Sequence, residues 1–193
     1  MEQKIKLIIG IAGASGVIYG IRLLEALREL DHVESHLVMS TTGRMNIGLE
    51  TDYEVKDVEA LADVVHKDGN LAASIASGSF KADGMIVAAC AMKTLSDIVH
   101  SRADSLLTRA ADVILKEQRR LVIMPRETPL HLGHCKLMYE ACQLGAVIAP
   151  PMPAFYTSPK TINDIIDHSV GRVLDLFDLD TGLVTRWQGP ATN

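Results

Sequence analysis

The stretch LIIGIAGASGVIYGIRLL, residues 7–24, decides how the chain is read. An apolar run rich in isoleucine passes through Gly10, Gly13, Gly16 and Gly20 into a segment that places Ile21, Leu24 and Leu27 on one face and Arg22, Glu25 and Arg28 on another. A short apolar run reads as a buried strand, and the three-to-four spacing as a helix. Small residues between the two let a ligand approach the backbone, and a helix N-terminus offers it amide donors and a positive dipole. The spacing does not fit the dinucleotide pattern Gly-x-Gly-x-x-Gly. A tight turn capped by Ser15 fits the same letters.

The rest of the chain repeats this alternation. VESHLVMS (33–40), GMIVAACA (84–91), LVIMP (121–125) and AVIAPP (146–151) read as strands, the last as a core strand. TGRMNIGLE (42–50), DSLLTRAADVILKEQRR (104–120), HLGHCKLMYEACQLG (131–145) and TINDIIDHSVGRVLDLF (161–177) read as helices, with Asp104 and Ser105 suited to a cap and Gly145 to a stop. DVEALADVVHK (57–67) is amphipathic with few core positions, and residues 66–83 read as a long polar connection. Alternating strands and helices imply an α/β fold: a three-layer, Rossmann or flavodoxin-like parallel sheet with helices on both faces. The expected organisation is one domain over residues 1–193, with a tail from about residue 180.

Composition narrows the function. The 193 residues carry a formal net charge of −5 and no basic cluster longer than KEQRR, which disfavours nucleic acid. No run approaches a membrane span or a secretory signal, and three cysteines without paired spacing fit free thiols, so a cytoplasmic location with no membrane partner is expected.

Parallel sheets bind ligands at the carboxyl ends of their strands, so those loops carry the chemistry. The second strand ends in Ser40-Thr41-Thr42, with no acid before Glu50, where a dinucleotide fold places a ribose-binding carboxylate. That favours a mononucleotide or another phosphorylated ligand. Ala91-Met92-Lys93-Thr94 forms another small and polar turn, in which Lys93 is either an anion ligand or a solvated lysine. Arg126 and Glu127 lie in PRETP between two prolines, and Arg suits phosphate while Glu can move a proton. The proline-rich APPMPAFYTSP (149–159) holds Phe155 and Tyr156 as a stiff wall for a flat ring or an apolar chain. His131, His134, Cys135 and Cys142 share one helix segment, but no further carboxylate or distant His-Cys pair completes a metal set, and a structural role is the better reading.

Taken together, GASG (13–16), Ser40, KTLS (93–96), PRETP (125–129) and LGAVIAPPMPAFY (144–156) resemble the UbiX-type flavin prenyltransferase family, from Ile9 to about Arg186. The resemblance implies a metal-independent transferase that moves a dimethylallyl group from dimethylallyl phosphate to N5 and C6 of reduced FMN. Its product would be prenylated FMN, the cofactor of a UbiD-type decarboxylase. It also implies a homododecamer with FMN between subunits. By the same resemblance, Gly13, Ala14, Ser15, Ser40, Ala91, Met92, Lys93, Thr94 and Arg126 bind FMN. Tyr156, Arg172, Lys116 and Arg109 bind the donor phosphate, and Glu127, Ser15 and Glu50 are catalytic. Leu71 stands where the family often has an aromatic residue, and Ala91 where it often has serine. The competing readings are a flavin-dependent cysteine decarboxylase, which lacks its Asn here, direct decarboxylation of an aromatic acid, and a non-catalytic FMN carrier.

Overall fold

The computed structural model describes residues 4–189, which divide into two compact units with the boundary after Pro150. The first unit contains β1 (Ile5–Ile11), α1 (Ile18–Arg28), β2 (Val33–Met39), α2 (Thr41–Glu50), α3 (Val55–Glu59), β3 (Val64–Lys67), β4 (Gly84–Cys90), α4 (Met92–Val99), α5 (Leu106–Lys116), β5 (Arg120–Pro125), α6 (Leu132–Gln143) and β6 (Val147–Ile148). The second contains α7 (Ile162–Asp175).

The strands form one all-parallel sheet in the order β3-β2-β1-β4-β5-β6. All seven residues of β4 and the last five of β1 are buried, as strands covered on both faces require. Successive residues of β1 point to opposite faces. A Cβ on Gly10 would lie 3.3 Å from Leu107 of α5, whereas Ile11 lies against Gly20 of α1. Helices α1 and α5 therefore cover opposite faces, which is the three-layer arrangement expected. After β3 the chain returns past β1 to β4, and this reversal opens a crevice at the carboxyl ends of β1 and β4.

Three elements depart from expectation. Residues 66 and 67 belong to a strand, β3, rather than to the connection that follows. It is only four residues long and alternates half-buried and exposed positions, so it has no apolar run to reveal it. His66 is half-buried and meets His36: His36 Nδ1 and His66 Nε2 lie 3.0 Å apart and the rings stack at 5.3 Å. The segment read as an amphipathic stretch contributes only α3 before that strand. β6 is two half-buried residues at the sheet edge, not a core strand, because Pro150 and Pro151 lie just beyond it and prolines cannot extend a ladder.

Candidate functional site

The loop after β1 is built from outside itself. Gly16 adopts φ +100°, a conformation that favours glycine, and the N-cap of α1, Val17, has no side-chain acceptor to offer. Glu50, the last residue of α2, supplies one: its Oε2 accepts from the Gly16 amide at 2.7 Å and the Val17 amide at 3.3 Å. Asn46 Nδ2 donates to the carbonyls of Gly13 at 3.2 Å and Ala14 at 3.4 Å. Arg126 Nε donates to the Ser15 carbonyl at 3.0 Å. Each residue of GASG is thus pinned by a side chain at least 32 positions away in sequence.

Asn46 is a residue that the sequence reading missed. Its signal is periodicity: Thr42, Asn46 and Glu50 are four apart and share one face of α2. Thr42 packs so close to Gly13 that a Cβ there would lie 2.7 Å from it. Helix α2 is brought to β1 by a shared strand end, where the Ser40 amide donates to the Ile11 carbonyl at 3.0 Å. Replacing Glu50 with Ala removes one acceptor from two amides at the start of α1. Because the carboxylate is exposed, the stability loss is held to about 1 kcal/mol, read as a lower urea midpoint at unchanged slope.

A cleft of about 420 Å³ opens beside this loop. Gly13, Ser40, Ala91, Lys93 and Thr94 line it, which brings together five of the expected residues from three strand ends. Thr41, Thr42, Asp68, Asp97, Ser105, Leu107 and Thr108 complete the wall. Three helices begin there. Ser40 Oγ caps α2 by accepting from the Gly43 amide at 3.0 Å, and Ser105 with Thr108 forms a capping box on α5. Ala91 leaves α4 with no side-chain cap, so its first amides are available to a bound acceptor. Converging helix N-termini with hydroxyls among them suit a phosphate. Met92 places its side chain in the core cluster, leaving its backbone as the part that faces the turn.

The charged candidates divide. Arg126 is committed to the glycine loop, as described. Glu127 is exposed, and its Oε1 accepts from the Thr128 amide at 3.0 Å. Lys93 pairs with the buried Asp97 at 2.5 Å. Arg109 donates to Asp112 at 2.8 Å and to the Ala76 carbonyl at 3.2 Å. Lys116 is paired with Glu117 at the far end of α5, about 15 Å of helix from the cleft-lining first turn. The fold of one protomer therefore does not bring Lys116 to its own cleft. Leu71 is half exposed, at 49%.

In the second unit, Arg172 donates to Asp175 at 2.6 Å, and Arg186 pairs with the same carboxylate at 3.0 Å. Hydrogen bonds from Arg186 and then Arg172 hold the Asp175 carboxyl below its usual range. Tyr156 lies in a short 3₁₀ turn, Phe155–Thr157, and contacts His168 and Trp187.

The Flavoprotein family profile matches residues 1–174. The flavin prenyltransferase UbiX of Salmonella typhimurium is 58% identical over 186 residues, covering 95% of this chain and 98% of that protein. The crystal structure of AnUbiX (PadA1) in complex with FMN and dimethylallyl pyrophosphate superposes with a TM-score of 0.95 at 52% identity, covering 97% of this chain and 99% of that one. A dodecameric FMN-dependent UbiX-like decarboxylase from Escherichia coli O157:H7 gives a TM-score of 0.94 at 52% identity, covering 96% and 100%.

Proposed function

Because this chain belongs to the UbiX-type flavin prenyltransferases of the Flavoprotein family, we propose a division of labour among the residues at its strand ends. The chain transfers a dimethylallyl group from dimethylallyl phosphate to N5 and C6 of reduced FMN, and the prenylated FMN so made serves a UbiD-type decarboxylase. The observation that carries this reading is the convergence of the β1, β2 and β4 ends on one cleft at the sheet's reversal, with Arg126 tying the PRETP loop to Ser15.

Gly13, Ala14, Ser15, Ser40, Ala91, Met92, Lys93, Thr94 and Arg126 hold FMN. The place of Gly13 in the cleft wall, and the uncapped start of α4, support this assignment. Ala91 in place of serine costs one hydrogen bond there. Reduced FMN, when bound, supplies the nucleophilic atoms and a π face for the allylic fragment. Glu127 delivers a proton to the departing phosphate, and cations neutralise that phosphate's charge. Glu50 holds the amides beside Ser15 and so sets that hydroxyl in place, which completes the catalytic set.

Tyr156, Arg172, Arg109 and Lys116 bind the donor phosphate. Lys116 stands at the end of α5 remote from its own cleft, so it serves a neighbouring copy, and Arg109 on the same helix serves with it. A homododecamer supplies that copy. Leu132 at 85% and Phe155 at 76% exposure are apolar side chains for such an assembly to cover. We treat the two units as one FMN-binding domain with its tail from about residue 180, and place the enzyme in the cytoplasm. The unpaired Cys90, Cys135 and Cys142 support that location, and no helix among the described residues is long and apolar enough to cross a membrane.

The test is anaerobic. Purified protein is mixed with reduced FMN and dimethylallyl phosphate, and the flavin is weighed by mass spectrometry. FMN plus one C5 prenyl unit is the product anticipated. Unchanged FMN beside an intact donor would sink the transferase reading.

A further inference from the structure

We infer that His168 is a positioning residue for the transfer: its Nε2–H holds the Tyr156 hydroxyl so that the phenolic proton is left free for the donor's phosphate. This rests on the assignment of Tyr156 to that phosphate.

His168 projects from α7 at 8% exposure. Its Nε2 lies 3.3 Å from Tyr156 Oη, and the two rings meet edge to face at 5.7 Å and 85°. Trp187 makes a second edge-to-face contact with the Tyr156 ring at 5.7 Å and 79°. The tyrosine is 53% exposed, so its ring is clamped while part of it stays open to a ligand.

The tautomer follows from what His168 lacks. Its Nδ1 is buried with no hydrogen-bond partner among the described residues. A neutral imidazole carries one N–H. Were the proton on Nδ1, a buried donor would be stranded, and Nε2 would then take the phenol's single proton. With the proton on Nε2, only a lone pair is left unpaired, and orphaned buried donors are the rarer kind. The bond then runs from Nε2–H to Oη. Burial, and after it the charge of Arg172, push the His168 pKa down, with Asp175 opposing in part, which favours the neutral ring. A phenol that accepts from an imidazole keeps its own O–H, and a phosphate oxygen is a strong acceptor for it.

The test compares His168→Gln, His168→Asn and Tyr156→Phe with the natural enzyme. Rates are measured anaerobically with reduced FMN and varied dimethylallyl phosphate, alongside FMN affinity and melting temperature. Gln places an amide N–H near the Nε2 position, whereas the shorter Asn does not reach Oη. Asn should raise the donor KM about tenfold, the scale of one hydrogen bond, with kcat and FMN affinity little changed, and Gln should restore KM. In the Tyr156→Phe background, Asn should add nothing further. Asn without effect on KM while Tyr156→Phe raises it overturns the His168 role alone. Tyr156→Phe without effect overturns the tyrosine assignment beneath it. Gln and Asn equally impaired, with lowered melting temperatures, make His168 structural and overturn the inference. Neutron diffraction on the natural protein gives a check that needs no variant: a deuteron at Nε2 supports the inference, and one at Nδ1 alone overturns it.

Discussion

Glu127→Gln should retain FMN and slow prenyl transfer by about 10²–10⁴-fold, the usual worth of a positioned general acid. Breaking an allylic C–O bond leaves a phosphate that must take up charge and a proton. Glu127 follows Arg126 directly, beyond β5, and its carboxylate is exposed. Its bond to the protein, Oε1 accepting from the Thr128 amide, survives in Gln because the amide oxygen still accepts. The neighbouring anchor, Arg126 Nε on the Ser15 carbonyl, is untouched. Loop geometry is therefore kept and only the proton is lost. Single-turnover transfer under anaerobic conditions reads the rate, and quenching of flavin fluorescence reads binding. A parallel fall in both would make Glu127 a structural residue.

Ser15→Asp acts at the other wall of the site and should weaken FMN binding by about 100-fold or more. The Glu50 carboxylate already occupies the Gly16 and Val17 amides, so the positive end of α1 has its anion. A second carboxylate one residue earlier meets that charge, and like charges at a binding surface cost several kcal/mol. It also crowds a loop whose neighbour Gly13 has no space for a Cβ. Flavin absorbance per protein after purification, with Ser15→Ala as the uncharged comparison, measures the effect. Full flavin content in Ser15→Asp would remove the loop from the FMN site.

Much of this was legible in one sequence. The ends of β1, β2, β4 and β5 announced themselves as apolar runs closed by small or polar residues, because a strand buried on both faces has no reason to alternate. The absent acid after β2 excluded a ribose-binding carboxylate there, and Ser40 duly caps α2 beside the cleft. Ser105 and Gly145 sit where helix-end chemistry placed them: Ser105 caps α5, and Gly145 follows α6 at φ +97°.

What stayed hidden involved partners distant in sequence. β3 is held by its parallel pairing with β2, where His66 also meets His36, and no local pattern encodes either contact. Asn46 looks like any polar helix residue until α2 lies against the β1 loop. Glu50 appeared as one family position among several, and the structure gives it a specific task on two amides. Lys116 shows the converse, since a lysine in a recognised position is carried by α5 away from its own cleft.

The division has a physical cause. Periodicity, capping and turn chemistry act within a few residues, so the sequence alone was enough for the layered α/β sheet and for the loops that carry the chemistry. Hydrogen bonds that preorganise a site join residues tens of positions apart, and which of them meet depends on the order in which strands pair. Only with β1 between β2 and β4 do Asn46, Glu50 and Arg126 converge on GASG, and that convergence fixes a glycine-rich turn beside the cleft at the sheet's reversal.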